Sequence, residues 1–345
     1  MNRKDIIMQA LIKDYIDNGE PLSSALLVDK TNLDLSSATM RNELANLEKE
    51  GFVKHLHTSS GRIPTDKGYR YYVDHLMNRD NQLKVQEAEY LQNMLEDVST
   101  SIDKVLAYTA QILSQMTKYP IILIAENQHK NILKFIQLVL LNVHQILLVV
   151  LNNYGENFQE IIHFEKLAIT QEELNKVSEV LNNVCSDIPL DNLGPVFMEN
   201  MERVKVRFTA YEDILVKIFS AIRKSSALLS SKHVFIENSH NLLAYPEFQE
   251  IETLRKINTV LEDKNKVISL FQDQLVEKIN SCIGSEHKVD ELSPTSLVYG
   301  NLTVENENIA KVGVLGPVRM NYDNIFGVVD HTVKVLKRKF LQLFR

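Results

Sequence analysis

Along the first fifty residues, apolar positions recur at helical spacing. Ile6 and Ala10, like Ile7 and Leu11, stand four apart, which predicts a helix to about Ile16. The Gly and Pro of "NGEP" at 18–21 stop it. Ser23 or Ser24 can cap a second short helix over Ala25–Asp29, and "TNLD" turns the chain. Ser36 or Ser37 then caps a third helix running to Gly51. In that helix Met40, Leu44 and Leu47 share one face and must point into a small core. "FVKHLH", "TSSG" and "RIP" over 52–64 read as strand, turn and returning strand.

The pattern changes beyond Asn81. Leu91, Leu95, Val98, Ile102, Val105, Thr109, Ile112 and Met116 alternate steps of four and three, which predicts one long amphipathic helix. Leu106 and Leu113 widen its stripe, so lying on a sheet and pairing with another helix both fit. Strand-like runs follow Tyr119-Pro120: "IILIAE", "FIQLVLL", "ILLVVLN" and "IIHFEKLAI". The run 132–151 is long enough to suggest a membrane span. Gln137, Asn142, His144 and Gln145 interrupt it, which favours two buried strands, Phe135–Leu141 and Ile146–Leu151, joined by "NVHQ". A helix is expected over Gln171–Cys185, then a mostly helical stretch to about Lys266 containing "HVFIEN". Strand signals return in "SLVYGNLTV" and "KVGVLGPVRM". The closing basic helix carries Lys334, Lys337, Arg338 and Lys339. It either packs Val333, Leu336 and Phe340 on the sheet or lies on a membrane surface. Strands on both sides of a helical block predict an α+β domain interrupted by an insertion. The expected division is 1–80, a linking helix over 81–118, an interrupted domain over 119–189 and 266–345, and an insert over 190–265.

The 345 residues carry a net charge of −7, so any nucleic-acid surface must be local. One such place exists. Residues 36–70 hold six Lys and Arg against four acids, a local balance of +2. Opposite the apolar stripe of the third helix stand Ser37, Thr39, Arg41, Asn42 and Asn46. A helix so built, preceded by a short helix and a tight turn, is the second element of a helix-turn-helix. Arg reads guanine and Asn reads adenine in the major groove. Ser36 and Ser37, with the free N–H groups of the helix start, suit a phosphate. Lys54, His57 and Arg62 surround the following hairpin as a basic wing along the DNA backbone. Winged helices also serve in protein contacts, and polar helix faces are often plain solvated surface.

"LSSATMRNELANLE" followed by "HTSSGRIPTDKGYRYYVD" resembles the HrcA family of bacterial heat-inducible transcription repressors. "YIDNGEPL", "HNLLAYPEF" and "VGVLGPVRMNYDN" extend the resemblance over nearly the whole chain. The chain departs from the usual pattern at Ser23-Ser24, where the family carries Gly-Ser, and in "VKHLH", which lacks the more typical Pro. The resemblance implies a winged-helix DNA-binding domain, a GAF-like domain and a dimerising domain inserted into it. It further implies a homodimer that represses chaperone operons through an inverted-repeat operator, with activity tied to the GroE chaperonin.

Other chemistries leave weaker marks. His55 and His57 form the one close His pair, with wing contact or plain surface as alternatives to a metal. No P-loop, G-x-S-x-G or G-x-G-x-x-G is present, and the middle strands are almost wholly apolar where an enzyme should show a polar constellation, so neither an enzyme nor a cofactor is expected. Gly313 and Gly316 in "GVLG" suit a strand end. The competing reading is a regulator controlled by a small molecule in the GAF-like domain. Cys185 and Cys282 fit a reducing cytoplasm, with a single disulfide left open, and the N-terminus does not read as a signal peptide.

Overall fold

The computed structural model describes residues 2–343 apart from 56–60, 77–84, 97–101, 127–131, 154–156, 194–195, 197–211, 230–231, 272–278 and 305–306. The chain divides into two compact units. The first comprises 1–98, 106–124 and 234–345, and the second comprises 99–105 and 125–233.

The first unit begins with α1 (Arg3–Asn18), α2 (Ser24–Thr31) and α3 (Ser37–Lys49). Gly19 ends α1 at φ +71, the left-handed cap that glycine adopts without strain. Ile7, Met8, Leu11 and Ile12 of α1, Leu27 of α2, and Met40, Leu44 and Leu47 of α3 are all buried. Each large side chain so buried contributes about 1.5–3 kcal/mol. Strands β1 (Val53–His55) and β2 (Arg62–Pro64) pair antiparallel, Val53 facing Pro64 and His55 facing Arg62. Three helices followed by a two-stranded hairpin make a winged helix-turn-helix. The hairpin leads into α4 (Asp66–Tyr71) and a wider π-helical turn over Tyr72–Leu76.

The same unit holds a five-stranded sheet in the order β7-β3-β10-β9-β8. Its members are β3 (Ile121–Ala125), β7 (His233–Glu237), β8 (Asn280–Ile283), β9 (Thr295–Val304) and β10 (Glu307–Pro317). β9 pairs antiparallel with both β8 and β10, and every residue of β9 is buried. Against one face lies α11 (Tyr322–Leu343), with Leu336 and Phe340 fully buried. On the other face Leu297, Tyr299 and Leu315 join Phe248, Ile257, Val260 and Phe271, residues from α9 (Ile251–Glu262) and the segments flanking α9 and α10 (Lys264–Ser269). "HVFIEN", which falls inside the expected insert, forms β7 at the edge of this sheet, next to β3. The expected linking helix corresponds to α5 (Val85–Glu96) and α6 (Ile102–Thr117), and residues 97–101 between them lie outside those described.

The second unit is a three-stranded antiparallel meander of β4 (Leu133–Asn142), β5 (Gln145–Asn152) and β6 (Asn157–His163). α7 (Gln171–Cys185) and α8 (Glu212–Leu229) cover one face, where Ile136, Leu138, Ile146, Leu148 and Val150 meet Leu174, Val177, Leu181, Leu215 and Ile222. The run 132–151 is thus two strands around a turn, and no helix among the described residues is long and apolar enough to cross a membrane. α7 also closes the free edge of β4. The Asn182 amide accepts from the Ile136 N–H at 2.8 Å and donates to the Ile136 carbonyl at 2.7 Å. Ser178 accepts from the Leu138 N–H, and Gln171 from the Leu140 N–H. An edge strand with open N–H and C=O groups invites pairing with other chains, and here side chains seven and four residues apart occupy it.

Candidate nucleic-acid interface

α3 starts at Ser36, whose hydroxyl accepts the Thr39 N–H at 3.1 Å and lies 3.0 Å from the Thr39 hydroxyl. Its neighbour Ser37 meets Ser24 hydroxyl to hydroxyl at 3.1 Å, which joins the starts of α2 and α3. The departure at Ser23-Ser24 therefore has a structural use: Ser23 caps α2 and Ser24 braces α3. With Met40, Leu44 and Leu47 fixed in the core, Arg41, Asn42 and Asn46 are exposed away from it, Ser37 is exposed at the helix start, and Thr39 is partly exposed. Lys49, seven residues beyond Asn42, is also exposed and continues this row. Helical spacing alone would have included it.

The wing is tied to α3 by charge. Arg62 Nη2 lies 3.0 Å from Glu48 Oε2, Arg62 Nη1 meets His55 Nδ1 at 2.9 Å, and His55 Nε2 is 3.6 Å from the same carboxylate. The Arg62 side chain is only 14% exposed. Its backbone exchanges two hydrogen bonds with Leu22, at 3.0 and 2.8 Å, which pins β2 to the loop ahead of α2. Arg62 thus positions the wing, while Lys54 stands exposed on β1. His57 lies outside the described residues.

Two glycines of "HTSSGRIPTDKGYRYYVD" allow these close approaches. A Cβ on Gly61 would come within 2.2 Å of the Leu22 carbonyl oxygen, and one on Gly68 within 2.3 Å of the Phe52 carbonyl oxygen. Thr65 caps α4 through the Gly68 N–H and donates to the Gly51 carbonyl at 2.7 Å.

The site presents serine, asparagine and arginine side chains at a helix start, with lysines beside them. It can hydrogen-bond base edges and neutralise phosphate. No group of three or more His, Cys, Asp or Glu among the described residues is arranged to hold a metal. Cys185 and Cys282 are free thiols rather than a disulfide. Burial pushes the thiols up, to about 12 and about 11, so neither is poised as a nucleophile.

The family model described as HrcA protein C terminal domain matches residues 103–326. The chain is 31% identical to the heat-inducible transcription repressor HrcA of Clostridium perfringens (strain 13 / Type A), over 97% of each chain. It is 30% identical to that of Bacillus pumilus (strain SAFR-032), over 99% of this chain and 98% of the other. A solved structure described as a hypothetical protein at 2.2 Å resolution shares the fold, with a TM-score of 0.65 and 20% identity over 99% of both chains. With a match over most of its length and relatives of this identity, the chain belongs to the HrcA family of heat-inducible transcription repressors.

Proposed function

We propose that this protein represses chaperone operons by binding an inverted-repeat operator as a cytoplasmic homodimer. Its activity depends on the GroE chaperonin and is lost on heat stress. The observation that carries the reading is the polar set Arg41, Asn42, Asn46 and Lys49, exposed on a helix whose other face is locked by Met40, Leu44 and Leu47, with Ser37 exposed at its start. In this reading Arg41 and Asn42 contact bases. Ser36, Ser37, Thr39, Asn46, Lys49 and Lys54 engage backbone or flanking positions, and His57 belongs to the wing.

The open face of the β4–β5–β6 sheet supports a second copy as partner. Phe135 faces Leu151 and Val139 faces Leu147 across β4 and β5, and Leu147 faces Ile161 across β5 and β6. Phe135 and Ile161 remain 44% and 46% exposed, so this apolar face is left uncovered to that extent. A two-fold contact there matches the symmetry of an inverted repeat.

The chaperonin link rests on the same strands. β4 and β5 are apolar windows of high β-propensity, and the five-stranded sheet joins β3 to strands nearly two hundred residues later. Such contacts form slowly and expose apolar edges meanwhile. The experiment is to refold the chain from denaturant at a fixed moderate temperature, with and without GroE proteins, and titrate operator DNA. A larger active fraction with GroE, reduced by an unfolded competitor, supports the reading; equal fractions contradict it. Binding changed by small-molecule extract instead of chaperonin would favour an effector-controlled regulator.

A further inference from the structure

Two arginines clamp the winged helix to the five-stranded sheet, one sent from each side. From α4, Arg70 Nε donates to Glu286 Oε1 at 2.8 Å, and its Nη2 reaches both Glu286 Oε2 and the Ser281 carbonyl, the latter at 2.8 Å. Arg70 Nη1 reaches the Ser281 hydroxyl at 3.1 Å and Asp74 at 3.3 Å. Its hydrogen bonds to Glu286 are the largest influence holding the guanidinium charged. In the other direction Arg319, just after β10, donates from Nη1 to the Ile16 carbonyl in the last turn of α1, at 3.3 Å. Its Nε and Nη2 hold Glu247, and its guanidinium lies 5.9 Å from the centre of the Tyr245 ring. A Cβ on Gly19 would meet Arg319 Cζ at 3.3 Å, so the α1 cap lies against this guanidinium.

Lesser bonds follow the same seam. Asp66 accepts the Ser285 N–H at 2.8 Å, and the Tyr72 hydroxyl donates to Asp323 at 2.7 Å. "AYPEF" and "VGVLGPVRMNYDN", which DNA contact leaves unexplained, supply Tyr245, Glu247, Arg319 and Asp323 to this junction.

We propose that Arg70 and Arg319 are positioning residues for operator recognition, fixing the angle at which α3 stands relative to the sheet. The inference rests on the operator reading above. A protein with two reading helices must hold both at one spacing and tilt to engage both half-sites, whereas one half-site tolerates any tilt. The clamps are built from charged hydrogen bonds that remain partly exposed, with side chains 29% and 36% accessible at Arg70–Glu286 and 16% and 33% at Arg319–Glu247. Fork-shaped guanidinium pairs supply direction more than bulk stability. A displacement of the turns that carry Glu286, after β8, or Glu247, before α9, then shifts α4 or α1, and with them the winged helix.

The test compares the full-length wild type with Arg70→Glu, Glu286→Arg and the double exchange, and with Arg319→Gln as a milder second site. Hydrogen exchange over 281–287 reports the clamp. Titrations with an inverted-repeat duplex and with an isolated half-site report recognition. The expected result is faster exchange in the single variants, about ten-fold weaker binding to the repeat, unchanged half-site binding, and recovery of both readouts in the double exchange. Arg319→Gln should likewise weaken repeat binding and spare the half-site. Three results overturn the inference: unaltered exchange, faster exchange with full repeat affinity, or equal losses on repeat and half-site that the exchange does not repair. A wild type that ignores the repeat while the exchange results stand would instead remove the operator reading, and this inference with it.

Discussion

Arg62 turns its guanidinium onto Glu48, 3.0 Å away, so the second strand of the wing and the last turns of α3 share one charge pair. His55 completes the cluster from the first strand. Arg62→Ala removes both contacts, with an expected loss of about 0.2–1 kcal/mol in stability, because the Glu48 and His55 side chains are about a third exposed and still face each other. Operator affinity should fall while the slope of affinity against salt stays at the wild-type value, because the Arg62 charge is already paired with Glu48. Denaturant melts and salt titrations of the variant check both points. A slope reduced by about one would return Arg62 to the DNA backbone.

The uncovered sheet face predicts an assembly defect. Ile161 is 46% exposed and faces Leu147. Ile161→Glu should leave the fold intact and yield monomers by light scattering. A persistent dimer would move the contact to another surface, with the Leu91–Met116 stripe as the next candidate.

Asn182 predicts an aggregation defect of another kind. Its amide satisfies both backbone groups of Ile136 on the outer side of β4. Asn182→Ala leaves that edge open, at an expected cost of about 1–3 kcal/mol. Faster aggregation on mild heating should accompany the loss. An aggregation rate and melting midpoint matching the wild type would show that the edge needs no such guard.

His287 carries a pH signature. It is buried, with Nε2 3.3 Å from the Thr295 hydroxyl, and burial holds its pKa below the usual value against a backbone hydrogen bond with Thr295 and the charge of Glu286. The unfolded chain binds the proton first, so stability is present above pH of about 6.5 and falls as pH drops below it toward the folded value. His287→Gln should flatten melting temperature against pH in that window. An unchanged profile would assign the dependence to other groups, His331 among them.

How far the sequence reveals this molecule depends on how local each signal is. The stripe Met40, Leu44 and Leu47 repeats within three turns, and the structure buries all three. The helix expected over Gln171–Cys185 has those bounds, because Thr170 and Glu173 form a capping box at its start. Polar interruptions in the apolar run 132–151 mark a hairpin turn, and Asn142 and Gln145 pair there. Lys49 was within reach of the same periodicity that selected Asn42.

Non-local partners were not legible. Which strand β7 joins depends on β3, over a hundred residues earlier, and no spacing in "HVFIEN" encodes that choice. Arg70 and Glu286 stand 216 positions apart, and each alone reads as a surface charge. The direction of Arg62 was likewise hidden, since a basic residue beside a wing turn suits DNA and Glu48 equally.

In the operator reading proposed above, α3 contacts a two-fold site through Arg41 and Asn42. The most direct measurement titrates wild type, Arg41→Ala, Asn42→Ala and Lys49→Ala against an inverted-repeat duplex and single-base variants of it. Arg41→Ala and Asn42→Ala should each lose about 1–3 kcal/mol of discrimination at one position in each half-site. Lys49→Ala should weaken all duplexes alike and lower the salt slope by about one. Wild-type affinity and discrimination in both Arg41→Ala and Asn42→Ala, with folding intact, would contradict that reading.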